Sequence, residues 1–262
     1  MSDITLRRRI NWSSASETDI GCVREINEDA LLCREDLGLW AIADGMGGYA
    51  AGDIASSIVI ESLLELGSES EISTFIDNVE DKLIDANNVI QTYSKQYCNS
   101  NIIGSTAVCL IIRGLLGACL WVGDSRLYRL RNNRLKQLTV DHSKVEELVG
   151  QGVIDRNEAN NHPESHVITR AIGVNEELFV SINVFTTQIG DTFMLCSDGL
   201  HNTSTDQNIS ECLANNNIQE SASELINIAI KNNADDNVSC VIIRGEPERL
   251  ATTKHQLIER VW

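Results

Sequence analysis

The sequence predicts an α+β fold in which antiparallel sheets carry helices on their outer faces. Short apolar and β-branched runs bounded by Gly, Asn and Asp indicate buried strands. These runs cover residues 30–33, 39–43, 106–112, 118–122, 126–130, 134–138, 180–185, 193–197 and 238–243. They occur in groups separated by helical stretches, and they do not alternate with helices one to one, as strands do in a parallel α/β fold.

Apolar residues at helical spacing mark the stretches between the strand groups. Each stretch predicts a helix with one apolar face, and the marker residues are Ile54, Ile58 and Leu63, then Ile76, Val79, Leu83, Ala86 and Ile90, then Ile209 and Leu213, and finally Leu225, Ile228 and Ala229. Asn132-Asn133 lies between two strand runs and predicts a tight hairpin turn. Residues 139–175 fit neither pattern and predict an ordered excursion between strands.

Length and charge narrow the class of protein. A chain of 262 residues can hold one large domain or two small ones and can bury a sizeable core. Its formal net charge of −17 argues against a nucleic-acid partner, because binding a phosphate backbone requires a basic face.

Ala107–Gly123 resembles a membrane span, but the stretch is short and carries Arg113 near its centre. Two strands joined at Arg113-Gly114 fit better, so we expect no membrane association.

The cysteines predict a reduced, cytoplasmic protein and not a disulfide scaffold. Of the eight cysteines, those inside apolar strand runs are typical of free core residues; they are Cys33, Cys109, Cys119, Cys196 and Cys240. The Cys-x-x-Cys spacing of zinc sites is absent. No apolar signal peptide follows Met1, which also favours a cytoplasmic location.

Acidic residues recur where the predicted strands begin or end. Asp29 opens one run, Asp44, Asp124 and Asp198 each close another, and Asp235-Asp236 precede the last. In an antiparallel sheet the start of one strand lies beside the end of its neighbour, so these carboxylates could gather at one sheet edge. Gathered carboxylates repel one another unless a cation neutralises them. Divalent cations that prefer oxygen ligands are the obvious candidates.

Two local motifs strengthen the prediction of an ion site. In Asp44-Gly45-Met46-Gly47-Gly48 the glycines allow close approach of the backbone to a ligand, and the Asp44 carboxylate and Gly45 carbonyl offer two oxygen ligands. A hairpin turn is the alternative meaning of Asp-Gly after an apolar run, but a helical stretch follows here. Arg24 lies five residues before Asp29, and a guanidinium beside divalent ions fits an anion such as phosphate.

The ordered set of motifs resembles the protein phosphatase 2C family of metal-dependent serine/threonine phosphatases, in its compact bacterial form. The resemblance runs from about residue 12 to 244 and rests on Arg24–Asp29, Asp44–Gly48, Gly123–Arg126, Thr169–Gly173, Ser197–Leu200 and Asp235–Asn237. A finer resemblance, to phosphatases associated with type VI secretion (T6SS), rests on Trp12, Gly38–Trp40, Cys119–Trp121 and Leu127–Leu130.

The family resemblance implies an α-β-β-α sandwich, in which two antiparallel sheets are flanked by helix pairs. It implies one catalytic domain over residues 1–244, with a flap at about 139–170 that shapes substrate access and a C-terminal tail at 245–262. Two Mn²⁺ or Mg²⁺ ions would lie at one sheet edge, with a third, weaker ion beside them. By position, the ligands would be Asp44 bridging both ions, Gly45 through its carbonyl, Asp198 and Asp236 directly, Glu28 and Asp29 mostly through water, and Asp124, with Asp198, on the third ion. Asp235 would be a neighbour of this set.

The implied reaction is hydrolysis of phosphoserine or phosphothreonine by direct attack of a water that bridges the two ions. Such ions acidify water and neutralise phosphoryl oxygens, while Arg24 would bind the substrate phosphate. No Cys-x₅-Arg loop is present, which argues against a phosphocysteine intermediate. Animal members carry a histidine after Asp-Gly to protonate the leaving alkoxide, whereas Met46 cannot transfer a proton. Ion-bound water, His142 and His162 are the alternatives for that role.

The sequence leaves several alternatives open. A catalytically inactive adaptor that binds phosphoproteins is one, although inactive members usually lose metal carboxylates. A hydrolase of another phosphoester, such as a nucleotide, is another, although an aromatic content of 5% offers little for base stacking. We expect a monomer that acts on phosphorylated proteins, and the T6SS resemblance would add a partner Ser/Thr kinase and its forkhead-associated scaffold by analogy. The sequence does not decide between Mn²⁺ and Mg²⁺ or identify the substrate.

Overall fold

The computed structural model describes residues 9–47, 51–98, 102–159 and 162–248. Two antiparallel sheets form the centre of the fold. The first sheet contains, in spatial order, β1 (Ile10–Asp19), β11 (Val238–Pro247), β10 (Thr192–Cys196), β7 (Arg126–Arg131) and β8 (Arg134–Gln137). The second contains β2 (Asp29–Arg34), β3 (Leu39–Gly47), β5 (Ala107–Arg113), β6 (Leu116–Val122) and β9 (Ser181–Thr186), with β4 (Ile103–Ser105) paired to the end of β3.

The two sheets pack face to face through a layer of apolar side chains. Trp40 and Leu110 from the second sheet meet Phe193 and Val241 from the first, and all four are excluded from solvent. Helices cover the opposite faces, so the central strands are buried on both sides. This double burial explains why β3, β5 and β10 are continuous apolar runs and do not alternate between polar and apolar residues.

Helices complete the sandwich on both sides. The second sheet is covered by α1 (Gly52–Leu64) and α2 (Ile72–Tyr97), whose buried side chains include Leu63, Phe75 and Leu83. The first sheet is covered by the short α5 (Asp198–His201) and by α6 (Asp206–Ala214) and α7 (Ile218–Lys231). The predicted fold class, an α+β protein built as an α-β-β-α sandwich, is confirmed.

The connections follow the predicted turn chemistry. Asn132 and Asn133 join β7 to β8 with φ angles of 50° and 58°, as a two-residue hairpin turn requires. Gly114, with φ of 59°, joins β5 to β6 at the predicted turn beside Arg113. Between β8 and β9, the predicted excursion contains α3 (Lys144–Gly150) and α4 (Arg156–Ala159). A short 3₁₀ turn, Glu35–Leu37, links β2 to β3.

Some sequence predictions miss structural features. β1 was absent from the predicted strands because Ile10–Asp19 is mostly polar, which is typical of an edge strand with one solvated side. Cys33, predicted to lie in the core, is exposed on edge strand β2, although none of the eight cysteines forms a disulfide. The last strand continues to Pro247, three residues beyond the predicted domain end at 244, and residues 249–262 lie outside the described ranges.

No helix in the described residues is long and apolar enough to cross a membrane.

A buried ion pair fixes the far end of β7 to the loop before β10. Asp191 is fully buried, and its two carboxylate oxygens accept hydrogen bonds of 2.6 Å from Nε and an Nη of Arg131. The second oxygen also accepts a 2.9 Å bond from the backbone N–H of Gln188. Arg131 further donates to the Thr186 carbonyl of β9, so one guanidinium bridges both sheets.

We predict that Asp191→Ala lowers the free energy of unfolding by about 3 kcal/mol, because it leaves the Arg131 guanidinium partly buried and unpaired. Urea unfolding followed by circular dichroism measures the effect. The matched control is Asp36→Ala, which removes the partner of Arg34 at a solvent-exposed pair and should leave the free energy of unfolding nearly unchanged. Equal losses in the two variants would contradict the prediction.

Candidate metal centre

Five aspartates converge at one edge of the sandwich because of where their strands start and stop. Asp29 and Asp44 lie directly opposite each other in the β2–β3 register. Asp198 follows β10, and Asp236 precedes β11, which pairs with β10. Asp124 lies in the turn between β6 and β7. We call this set of five the carboxylate cluster.

The members of the carboxylate cluster disfavour one another's charge. Burial is the main reason that the pKa of Asp44 lies well above its ordinary value, and further contributions come from Asp29, Asp198, Asp124 and Asp236. Burial first, and neighbouring carboxylates second, raise the pKa of Asp124 to about 7 and that of Asp198 to about 6. As whole residues, the five aspartates are partly exposed.

Asp29 is the clearest sign that the cluster suits a cation. Burial raises the pKa of Asp29 to about 7, even though the nearby hydroxyl groups of Ser239 and Ser197 oppose the shift. Oδ2 of Asp29 accepts a 2.8 Å hydrogen bond from Ser197, whereas Oδ1 is buried without a partner. A buried carboxylate oxygen without a donor is costly unless a cation or water meets it. Oxygen ligands of this kind fit Mg²⁺ or Mn²⁺.

The spacing of the cluster suits hydrated ions. Within the described residues, no three His, Cys, Asp or Glu side chains converge tightly enough to enclose one ion by themselves. The aspartates of the carboxylate cluster are nevertheless close enough to raise the pKa values of Asp44 and Asp198. Mg²⁺ usually keeps several water ligands and takes only one or two carboxylates from the protein, so this looser spacing is compatible with it.

The backbone around Asp44 is held from both sides. Its N–H donates to Oγ1 of Thr106 at 3.1 Å, and its carbonyl accepts a 2.8 Å bond from the Thr106 N–H. Gly45 donates its N–H to the Glu28 carbonyl at 3.1 Å. A Cβ at Gly45 would lie 2.0 Å from the Gly52 carbonyl oxygen, so only glycine fits where β3 meets α1. The Gly52 N–H in turn donates to Oε1 of Glu28 at 3.1 Å.

Asn237 ties the loop that carries Arg24 and Glu28 to the start of β11. Its Oδ1 accepts a 2.7 Å bond from the Glu28 N–H, and its Nδ2 donates to the carbonyls of Ile20 and Ile26 at 2.9 and 3.0 Å. The side chain is only 3% exposed. The sequence placed Asn237 in a motif but gave no sign of these bonds, which join segments more than 200 residues apart.

Arg24 and Asp235 take different positions at the rim. Arg24 donates a 2.7 Å hydrogen bond to Oδ2 of Asp236 and keeps 47% of its side chain exposed, so its remaining donors are available to an incoming anion. Asp235 is exposed, as expected for a neighbour of the cluster.

A cleft of about 740 Å³ opens beside Asp124, between the α3–α4 segment and residues 201–206. Its walls include His166, His201 and Ser204. The Arg126–Asp141 ion pair also lines the cleft. Nδ1 of His201 and Oγ of Ser204 are buried without hydrogen-bond partners, although the Asn202 side chain lies near the imidazole.

The two histidines considered as proton donors are placed differently. His142 accepts a 3.0 Å bond from the Gly123 N–H at Nδ1 and contacts Ser181 Oγ through Nε2 at 2.9 Å. Burial, with a smaller effect of Arg170, lowers the pKa of His142 to about 4, so the ring is neutral near pH 7. Both ring nitrogens are engaged, which does not favour a role in leaving-group protonation. Nδ1 of His162 accepts a bond from the Glu164 N–H.

A family model described as protein phosphatase 2C matches residues 23–239, a range that contains the whole carboxylate cluster. The chain belongs to the protein phosphatase 2C family. The family predicted from the motifs is confirmed, and with it the expectation that the sandwich is the phosphatase fold.

Known members of the protein phosphatase 2C family are similar over most of this chain. The serine/threonine protein phosphatase PstP of Mycobacterium tuberculosis is 33% identical over 228 residues, which cover 87% of this chain and 44% of PstP. This chain therefore spans less than half the length of that relative.

Two solved structures of family members superpose closely. PppA, described as a key regulatory component of T6SS in Pseudomonas aeruginosa, has a TM-score of 0.83 at 37% identity, covering 89% of this chain and 97% of PppA. The catalytic domain of PstP in complex with two manganese ions has a TM-score of 0.80 at 31% identity, covering 91% of this chain and 99% of that one.

We predict that Asn237→Ala lowers the free energy of unfolding by about 2–4 kcal/mol, because three backbone groups lose the buried side chain that pairs with them. Asn237→Asp should be no better, since its second oxygen would face the carbonyls of Ile20 and Ile26. Thermal or urea unfolding measures both variants. Asn216→Ala, at an exposed asparagine, is the matched control and should unfold like the unmodified protein; a comparable loss there would refute the assignment.

Proposed function

We propose that this chain is a metal-dependent serine/threonine protein phosphatase that hydrolyses phosphoserine and phosphothreonine directly. The observation that carries the proposal is the set of buried, mutually repelling carboxylates at one edge of a protein phosphatase 2C sandwich. An inactive adaptor would have no need to retain this unfavourable arrangement. We further propose a single catalytic domain, expected over residues 1–244 and extended by β11 to Pro247, with its flap at about 139–170 and a C-terminal tail after it.

We propose that the carboxylate cluster holds two Mn²⁺ or Mg²⁺ ions and, more weakly, a third. Support comes from the unpartnered Oδ1 of Asp29 and from the PstP catalytic domain, which was solved with two manganese ions. The donors would be Asp44 between both ions, the Gly45 carbonyl, Asp198 and Asp236 directly, Glu28 and Asp29 mostly through water, and Asp124 with Asp198 on the third ion. When bound, such ions lower the pKa of coordinated water and neutralise phosphoryl oxygens.

The protein's own residues would position the substrate phosphate. Arg24 lies at the rim with Asp236 holding one of its nitrogens, which orients the guanidinium without consuming its other donors. An Arg fork binds two phosphate oxygens at once, so Arg24 is the side chain proposed to bind substrate phosphate. The cleft beside Asp124 would accept the polypeptide around the phosphorylated residue.

The structure favours neither Met46 nor His142 as the donor of a proton to the leaving serine or threonine oxygen. Met46 carries no exchangeable proton, and both nitrogens of His142 are engaged elsewhere. We therefore propose that water in the cleft supplies this proton. Burial raises the pKa values of Cys109 and Cys240, which makes these two thiols poor nucleophiles.

We propose that the protein acts in the cytoplasm on phosphorylated proteins and opposes a Ser/Thr kinase. Eight cysteines without a disulfide support a reducing compartment. The similarity to PppA supports a role in T6SS control, in which a forkhead-associated scaffold would be a natural substrate.

We predict that the protein releases phosphate from phosphoserine and phosphothreonine peptides with Mn²⁺. Asp44→Asn and Asp198→Asn should each reduce kcat by at least about a thousandfold, because each variant loses charge stabilisation in the transition state. Phosphate release is measured with a chelator control and a nucleotide panel beside the peptides. Faster turnover of nucleotides than of peptides would identify another phosphoesterase, and binding of phosphopeptide without turnover would identify an adaptor.

A second readout for the same variants does not depend on activity. Mn²⁺ should raise the melting temperature of the unmodified protein, because a ligand that binds only the folded state stabilises it. The shift should be much smaller in Asp44→Asn. A shift of equal size in both proteins would place the bound ion elsewhere.

We predict that Arg24→Ala raises KM for a phosphopeptide roughly 10- to 100-fold, the range of a charge-assisted hydrogen bond, and lowers kcat less. Steady-state kinetics with saturating Mn²⁺ separates the two constants. Arg34→Ala is the matched control, because Arg34 pairs with Asp36 in an exposed segment. An unchanged KM in Arg24→Ala would rule out the proposed role.

A further inference from the structure

One internal segment of this strongly acidic protein carries only basic charges. The chain has a net charge of −17, yet no Asp or Glu occurs between Asp124 and Asp141. That interval contains five of the 21 Lys and Arg residues, namely Arg126, Arg129, Arg131, Arg134 and Lys136. It corresponds to the β7–β8 hairpin, so the concentration in sequence is also a concentration in space.

Four of these side chains share one face of the hairpin. The β7–β8 register places Arg129 opposite Lys136 and Arg131 opposite Arg134. Residues directly opposite each other in an antiparallel pair project to the same side. Arg126 belongs to the other face, where it forms an ion pair with Asp141. We call Arg129, Arg131, Arg134 and Lys136 the basic hairpin face.

The basic hairpin face contains more positive charge than its surroundings neutralise. Like charges directly opposite each other destabilise a strand pair, and this hairpin has two such pairs. Asp191 neutralises Arg131, but the described residues provide no ion pair for Arg129, Arg134 or Lys136. Nε of Arg129 is buried without a hydrogen-bond partner. Four cations and one carboxylate leave an excess of positive charge that an external anion would relieve.

The shape of this face suits an extended polypeptide. The four side chains, with Asn132 and Leu135, line an open concavity of about 660 Å³. β8 is also the last strand of its sheet, so its outer main-chain groups face no further strand among the described residues. Edge strands can pair with an extended peptide, while neighbouring side chains select its sequence.

Protection of the sheet edge is the simpler explanation for some of this charge. Lysine or arginine on an edge strand prevents unwanted pairing with other chains. Edge protection requires charge on β8 itself, and it does not account for Arg129 on β7, with its buried and unpartnered Nε. A docking site accounts for both strands.

We propose that the basic hairpin face is a docking site for an acidic segment of the phosphoprotein substrate, distinct from the catalytic cleft. This proposal rests on the proposed phosphatase function. β7 starts beside Asp124 and reaches Arg131 roughly 20 Å away, at about 3.3 Å per strand residue. An acidic segment separated from the phosphorylated residue by about eight residues could therefore occupy both sites together. Nucleic acid is a poorer candidate, because the remaining surface is strongly acidic.

The test uses two phosphothreonine peptides and a charge-matched pair of variants. One peptide carries a block of glutamates about eight residues from the phosphothreonine, and the other carries glutamines there. The test variant is Arg134→Gln with Lys136→Gln, and the control is Lys95→Gln with Lys231→Gln, which removes the same charge at exposed lysines elsewhere. We expect the test variant to raise KM for the glutamate peptide about three- to tenfold, leaving its kcat and the glutamine peptide unchanged.

Several results would overturn the docking site. One is the same KM increase in the control variant, which would indicate long-range charge alone. Another is equal KM values for the two peptides with the unmodified protein. A dimer in solution that the test variant abolishes would assign the face to a second copy of the chain, and tighter binding of an oligonucleotide than of the glutamate peptide would assign it to nucleic acid.

A direct binding measurement separates this proposal from the phosphatase proposal. Fluorescence anisotropy of a labelled glutamate peptide without phosphate reports docking whether or not the protein turns over substrate. Binding that the test variant weakens, in a protein without phosphatase activity, would retain the docking face and refute only the proposed function. Turnover of phosphopeptides without any such binding would refute the docking face alone.

Discussion

The mutual repulsion of carboxylates at one sheet edge is the constraint around which the fold is organised. Five aspartates arrive there from separate strand ends, and the other four disfavour the charged form of Asp44. Such an arrangement stays folded only if the surrounding backbone is held rigidly. The apolar layer between the sheets and the helices outside them supply that rigidity, because their side chains are almost wholly buried.

A second layer of polar residues turns that rigidity into defined positions. Ser197 donates to Asp29 and accepts from the Ser239 N–H, so one hydroxyl connects β2, β10 and β11. Thr106 holds the backbone of Asp44, and Asn237 holds the backbone of Glu28. None of these three uses a charge of its own. Neutral hydrogen-bonding groups can therefore position the acidic groups without adding to the electrostatic strain.

The sequence predicted most of the fold because the relevant signals are local. Apolar runs marked the doubly buried strands, helical spacing marked the four main helices, and Asn132-Asn133 marked a turn that needs positive φ angles. β1 escaped detection because an edge strand has little apolar pattern, and Cys33 was misplaced because an apolar neighbourhood in sequence does not reveal which face is solvated. The positions of strand-end carboxylates followed from antiparallel geometry, although their roles as ligands remain a proposal.

What the sequence could not give were contacts between distant segments. The bonds of Asn237 to the loop at 20–28, and the use of both nitrogens of His142, depend on strand order and register, for which no residue carries a local signal. The basic hairpin face shows the same limit. Five basic residues are obvious in the sequence, but only the register reveals that like charges lie opposite each other.

The pairing of Asp29 with Asp44 has a consequence for folding fidelity. Side chains alternate between the two faces of a strand, so a slip of one residue between β2 and β3 would turn Asp29 away from Asp44. The misregistered chain would lose the convergence of carboxylates that a cation needs. An ion bound at this edge would therefore stabilise the correct register selectively. It would favour the one alignment in which the acidic ends of the strands meet.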